Sequence, residues 1–169
     1  MTTLPQLLIT DVYDAADILE DRVSCSSFGA VMSFGSPGSA APPLKLFNGP
    51  TLRMEFDDVE VEVGSHPTRK HVREIIKFCR QVPDDAKVLI HCHAGISRST
   101  AAGMILLAVK MGPGQEKQIL PLIHRVRECA DPNRLMIRYA DDLLGLNGDL
   151  LAALTSWMYI RRIRESAPW

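Results

Sequence analysis

The sequence predicts an α/β domain: a mostly parallel central sheet flanked by helices, with a helical C-terminal third. Three observations carry this. Short apolar runs at 7–10, 28–34, 51–56 and 87–90 are separated by a helix-forming stretch, a long loop and a second helix-forming stretch. Beyond residue 100 every periodic segment has helical spacing. The chain's 169 residues, 46% hydrophobic and 23% charged, suit one compact soluble domain spanning 1–169.

In order, Leu7-Leu8-Ile9-Thr10 reads as the first strand and Asp14 to Glu20 as a short helix. Phe28 to Phe34 reads as a second strand in spite of Gly29. Residues 35–50 hold seven Gly and Pro and should form no regular element. A loop of that length is either mobile or borders a site, and Lys45 and Phe47 are expected to anchor it. Thr51 to Phe56 alternates with period two and ends at the carboxylates Asp57-Asp58, while Glu60 and Glu62 read as solvated.

Pro67 should open a helix capped by Ser65 or His66, with Val72, Ile75, Ile76 and Cys79 facing the core. Arg69, Lys70, His71 and Arg73 then form a solvated face. Lys87-Val88-Leu89-Ile90 is a buried strand, and Thr100 to Lys110, apolar nearly all round, a central buried helix. Gly112-Pro113-Gly114 ends it. Ile119, Leu122, Ile123 and Val126 share the face of a further helix, in which Pro121 predicts a kink or a later start. Asp131-Pro132-Asn133 breaks the chain before a helix at Leu135, and Gly145 and Gly148 mark another helix end. The last helix, from about Asp149, covers the core with Leu150, Leu151, Leu154, Trp157 and Met158. Its Arg161, Arg162 and Arg164 suit the dipole without needing a partner.

Chemistry concentrates at 91–99, His-Cys-His-Ala-Gly-Ile-Ser-Arg-Ser, between the buried strand and the buried helix. A strand that ends in a loop leading into a helix N-terminus aims several backbone N–H groups at one spot, which binds an anion. Cys92 stands where those groups favour the thiolate, the nucleophilic form. Arg98 offers a planar fork for two oxygens of a tetrahedral oxyanion. Gly95 permits a tight turn, and Ser99 can donate a hydrogen bond to the sulfur.

These residues resemble the signature loop of the cysteine-dependent protein phosphatases, Cys-x5-Arg followed by Ser or Thr, and most closely its dual-specificity branch. The resemblance implies the same fold and a phosphatase working through a phosphocysteine, with phosphotyrosine as substrate and a site open to phosphoserine or phosphothreonine. Catalysis would then fall to Cys92, Arg98, Asp58 and Ser99, and substrate phosphate to His93, Ala94, Gly95, Ile96, Ser97 and Arg98. The family's acid is an aspartate about 30 residues before the cysteine. Asp58 and Asp57 stand 34 and 35 positions before it, and Val59 favours Asp58. His91 is expected to orient the loop by hydrogen bonds. The Pro132-Asn133 break is similar to a segment the same branch carries downstream. Lysines found in the loops of phosphoinositide-directed relatives are replaced here by His93 and Ile96, which argues against a lipid substrate.

No metal or other cofactor is called for, since amides and Arg98 supply the charge that cations supply elsewhere. A net charge of −1 suggests neither nucleic acid nor a membrane surface as partner, only a phosphorylated protein or small phosphomonoester. Four cysteines without paired or metal-binding spacing, and no leader or long apolar run at the start, imply a reducing, cytoplasmic setting. Cys79 should be packed, although a disulfide to Cys92 would protect the site on oxidation. Two alternatives stand beside the hydrolase: a sulfurtransferase carrying a loop persulfide, and a catalytically silent phosphoprotein-binding module.

Overall fold

The computed structural model describes residues 3–166; Met1 and Thr2, part of the stretch read above for a leader, lie outside that range. Its strands are β1 (Gln6–Thr10), β2 (Ala30–Gly35), β3 (Thr51–Glu55) and β4 (Lys87–His91). They form one sheet in the order β1-β4-β2-β3, and every neighbouring pair is parallel. Parallel neighbours need crossover connections. Helices α1 (Val12–Glu20) and α2 (Arg22–Ser26) lead from β1 to β2, and α3 (Arg69–Gln81) leads from β3 to β4. The helices α4 (Arg98–Met111), α5 (Glu116–Val126), α6 (Arg134–Leu144) and α7 (Asp149–Ser166) make the C-terminal part helical, as expected.

Because side chains alternate along a strand, the sheet feeds two cores. Ile9, Ala30, Met32, Phe34, Val88 and Ile90 join the larger one with α3, α4, α5 and α6. Val31 and Leu89 face the smaller one, built with Ala15, Leu19, Cys25 and Phe28. Helix α4 is buried from Arg98 to Ala108 and touches β1, β2 and β4 as well as α3, α5 and α6. A helix enclosed on all sides fixes the loop that precedes it.

Several boundaries differ from expectation for local reasons. Helix α1 starts early because Asp11 Oδ1 accepts from the amides of Tyr13 and Asp14, each at 2.9 Å. Helix α2, five residues capped by Asp21, is too short to show a period. The cap of α3 is Thr68, not Ser65 or His66, and it forms a capping box with His71. His71 is therefore not a solvated residue: it stacks on Phe56 with ring centroids 4.9 Å apart. Arg69 is likewise paired, with Asp142. Helix α5 begins ahead of Pro121, so the later start is not seen. In the 35–50 loop Phe47 and Leu44 pack on the smaller core while Lys45 is exposed. Arg161 donates to the Ala130 carbonyl at 3.1 Å, a partner the dipole argument did not require. Among the described residues no helix is long and apolar enough to cross a membrane.

With all strands parallel, their carboxyl ends share one edge, where loops of such sheets gather their functional groups. In register, Thr10 pairs His91 and His91 pairs Ser33, while Gly35 pairs Glu55. The residues that follow these ends are Asp11, Ser36, Phe56 to Asp58, and Cys92. Topology alone thus brings 58 and 92 to one place.

Candidate active site

Cys92 leaves the sheet at the end of β4 and is almost completely buried. Ser99 Oγ lies 3.2 Å from its sulfur, so the chain curls back on itself within seven residues. Gly95 makes that curl possible. Its φ is +69°, and a Cβ there would stand 2.5 Å from the backbone carbonyl of Thr10.

The loop's carbonyls all find partners outside it. His93 O accepts from Val12 N at 3.1 Å, Ala94 O from Arg127 Nη2 at 3.1 Å, and Gly95 O from Arg127 Nε at 3.1 Å. Ile96 O accepts from Asp131 N at 3.0 Å, and Ser97 O from Asn133 N at 3.3 Å. The amides of His93 to Arg98, by contrast, donate to no other described residue. Ser97, the residue before α4, gives that helix no side-chain cap. Its hydroxyl donates instead to Asp58 Oδ1 at 2.6 Å. With carbonyls engaged and amides left over, the loop is a bowl whose free donors suit an oxyanion.

Arg127 spans two of those carbonyls with one guanidinium. Replacing it with alanine is expected to raise KM for a phosphorylated substrate about tenfold, the cost of losing charge-assisted hydrogen bonds. Lysine should not restore the value, because one ammonium lacks the fork. Steady-state kinetics, with a melting curve to show an intact fold, checks both variants.

Arg98 is buried beside the bowl. Its Nη1 donates to the Phe56 carbonyl at 2.7 Å and reaches Ser36 Oγ at 3.5 Å. Its Nε makes no hydrogen bond and lies 3.7 Å from Asp58 Oδ2, so donor capacity remains for an anion. Asp58 Oδ1 also accepts from Asn133 Nδ2 at 3.0 Å. Asp57 is placed differently. Its amide donates to Ser65 O at 2.8 Å, and its carboxylate has no partner among the described residues.

The segment carrying Asp58 is fastened to α6. Asn133 Nδ2 also donates to Val59 O at 3.1 Å, and Glu60 Oε1 accepts from the Arg134 amide at 2.8 Å. Glu62 Oε1 accepts from Arg138 at 2.8 Å and from the Tyr139 hydroxyl at 2.7 Å. Glu60 and Glu62 are exposed, as expected, and they also tie this segment to α6.

His91 is buried with no well-formed hydrogen bond at either ring nitrogen, and its contact with the loop is the neighbouring Cys92 backbone. Burial pushes its pKa down to about 4, against that contact, which favours the protonated ring. Below about pH 6.5 the unfolded chain takes up this proton while the folded chain does not until about pH 4, so stability falls as pH drops through that window. The loss is on the order of 3 kcal/mol. Urea melts of wild type and His91→Leu between pH 7 and 4 should show a shallower acid loss in the variant. Cys79 is packed in the larger core, and burial pushes its thiol up to about 12.

Sequence reasoning grouped Cys92, Gly95, Arg98, Ser99 and Asp58, and the structure sets Ser99 against Cys92 and Asp58 against Arg98 and Ser97. The same reasoning missed Arg127, Ser36 and the Phe56 carbonyl, which carry no motif, and saw Asn133 only as part of a chain break. An Asn after Pro and before a helix is a cap signal, and Asn133 Oδ1 does accept from Met136 N at 3.1 Å.

No protein-family model and no curated protein matches the sequence. Solved structures match in fold. DUSP15 is 26% identical, covering 92% of this chain and 94% of that one, with a TM-score of 0.60. Human DUSP28 is 18% identical over 83% and 95%, with a TM-score of 0.63. A human tyrosine phosphatase-like serine/threonine/tyrosine-interacting protein is 17% identical over 85% and 94%, with a TM-score of 0.66.

Proposed function

We propose that this chain, which has the fold and the signature loop of the dual-specificity branch of the cysteine-dependent protein phosphatases, is a single phosphatase domain that hydrolyses phosphomonoesters on proteins. Phosphotyrosine is its first substrate class, with phosphoserine and phosphothreonine admitted by a site that needs no deep slot. The observation that carries this is the accounting of the loop: carbonyls of 93–97 are engaged elsewhere, and amides of 93–98, between Cys92 and Arg98 in the chain, donate to no other described residue.

In the first step the Cys92 thiolate attacks phosphorus. A sulfur–phosphorus bond forms, the ester oxygen–phosphorus bond breaks, and Asp58 gives its proton to the leaving oxygen. The amides and the Arg98 guanidinium bear the charge on the other three oxygens. Then water attacks phosphorus and loses a proton to Asp58. The sulfur–phosphorus bond breaks, and Ser99, 3.2 Å from the sulfur, steadies the returning thiolate. A free thiolate suits a reducing, cytoplasmic setting.

Phosphate release is to be measured on phosphotyrosine, phosphoserine and phosphothreonine peptides, an aryl phosphate and inositol phosphates. An acid quench during turnover should leave one phosphoryl group on the peptide containing Cys92. Release from none of them overturns the reading. Thiosulfate-to-cyanide transfer would then favour the sulfurtransferase. Phosphopeptide binding without release would favour a silent module, a reading that the phosphatase-like relative keeps open.

A further inference from the structure

Beside the phosphate bowl runs a second groove of about 520 Å³, walled on one side by Tyr13 and Ala16 of α1 and on the other by Ala40 to Pro43 of the 35–50 loop. That is a usual size for a ligand cleft. Tyr13 is 72% exposed, a large aromatic left in solvent except for an edge contact with the His93 ring, whose centroid is 6.4 Å away.

Two residues belong to groove and bowl together. His93 lines the groove and follows Cys92 in the loop, while Ser36 lines the groove and meets Arg98 at 3.5 Å. Whatever is covalently attached to a phosphate in the bowl therefore has this groove as its neighbour. Arg53 is the only lining residue with a permanent charge, and it is already engaged by Ser33 at 3.0 Å and Glu55 at 3.3 Å. No free cation waits there for an acidic residue, and a carboxylate brought in would lose water without gaining a partner.

We infer that this groove is a specificity subsite that takes an apolar side chain flanking the phosphorylated residue of a substrate peptide. The inference rests on the phosphatase reading above and adds the kind of sequence the enzyme selects. It also accounts for the 35–50 loop, which is fastened by the Gly38 amide to Glu55 at 3.2 Å and borders the groove. Such binding is made alike before and in the transition state, so it acts on KM rather than kcat.

The test uses phosphotyrosine peptides of one length with Leu, Asp or Lys in turn on either side of the phosphoresidue. Hydrolysis is followed with wild type, and binding with Cys92→Ser. Leu on one side should improve kcat/KM about tenfold over Asp, almost all in KM, with a matching ratio of binding constants. Ala16→Glu, a half-buried helix position on the groove wall, should reduce the Leu-to-Asp ratio measured within that variant to near one; Tyr13→Ser should reduce it partway. Hydrolysis with no flank preference, or a preference untouched by both changes, overturns the subsite and leaves the hydrolase. A flank preference in binding with no hydrolysis by wild type keeps the subsite and overturns the hydrolase. Preference for Asp overturns the apolar assignment, as does selection of inositol phosphates over every peptide.

Discussion

Cys92→Ser is expected to lower phosphate release from an aryl phosphate by roughly four orders of magnitude or more, while phosphopeptide binding stays close to wild type. The two halves of this result have different origins. Turnover depends on a thiol, a far stronger acid and nucleophile than an alcohol, and a serine hydroxyl in its place would need a base. Asp58 cannot be that base, because the first step needs it protonated for the leaving oxygen. Binding depends on the bowl, whose amides are aimed by Val12, Arg127, Asp131 and Asn133 and do not involve the sulfur. Kinetics and titration calorimetry on the same preparation separate the two. Aryl phosphate hydrolysis within tenfold of wild type would remove Cys92 from the mechanism, and loss of binding together with turnover would point to a collapsed loop. Cys129→Ser serves as control, since that thiol is exposed and makes none of these contacts.

What the sequence made legible follows from how local each cause is. The strand at 87–91, the curled loop and the buried helix after it are dictated by neighbours in sequence, so the bowl could be anticipated with its residues in order. Asp58 could be placed only by a resemblance. What puts it there physically is that β3 and β4 run parallel on either side of β2, which no pattern within 51–58 encodes. Arg127 was invisible for the same reason in stronger form. It reaches the loop because α5 ends beside it, and a lone arginine after a helix looks like any solvated cation. The reading that failed, His71 as a solvated residue, shares its cause with the ties missed at Glu60 and Glu62, which are exposed as expected. Charged or polar residues at exposed positions were assigned to water, whereas α6 supplies donors for both glutamates and Phe56 supplies a stacking face for the histidine. Polar side chains are committed by tertiary partners that a sequence window does not contain.

Asp58→Asn is expected to lower kcat on a phosphotyrosine peptide by roughly two to three orders of magnitude. The variant keeps the shape of the site, because an amide oxygen can still accept from Ser97 and Asn133, and what it loses is a transferable proton. A group that must be protonated to work contributes a limb on which the rate falls as pH rises. Asparagine has no such ionisation, so that limb should disappear. The loss should be smaller on p-nitrophenyl phosphate, whose leaving oxygen is stable without a proton. Asp57→Asn should leave rate and pH profile near wild type, since Asp57 contributes its amide to Ser65 and its carboxylate has no partner among the described residues. The reverse pattern would transfer the role to Asp57. Asn133→Ala discriminates once more: as a positioning residue it should lower kcat by about tenfold and leave the alkaline limb in place, because the acid is then misplaced but still present. If Asn133→Ala erased the limb as Asp58→Asn does, proton transfer could not be assigned to the carboxyl group that Asn133 holds.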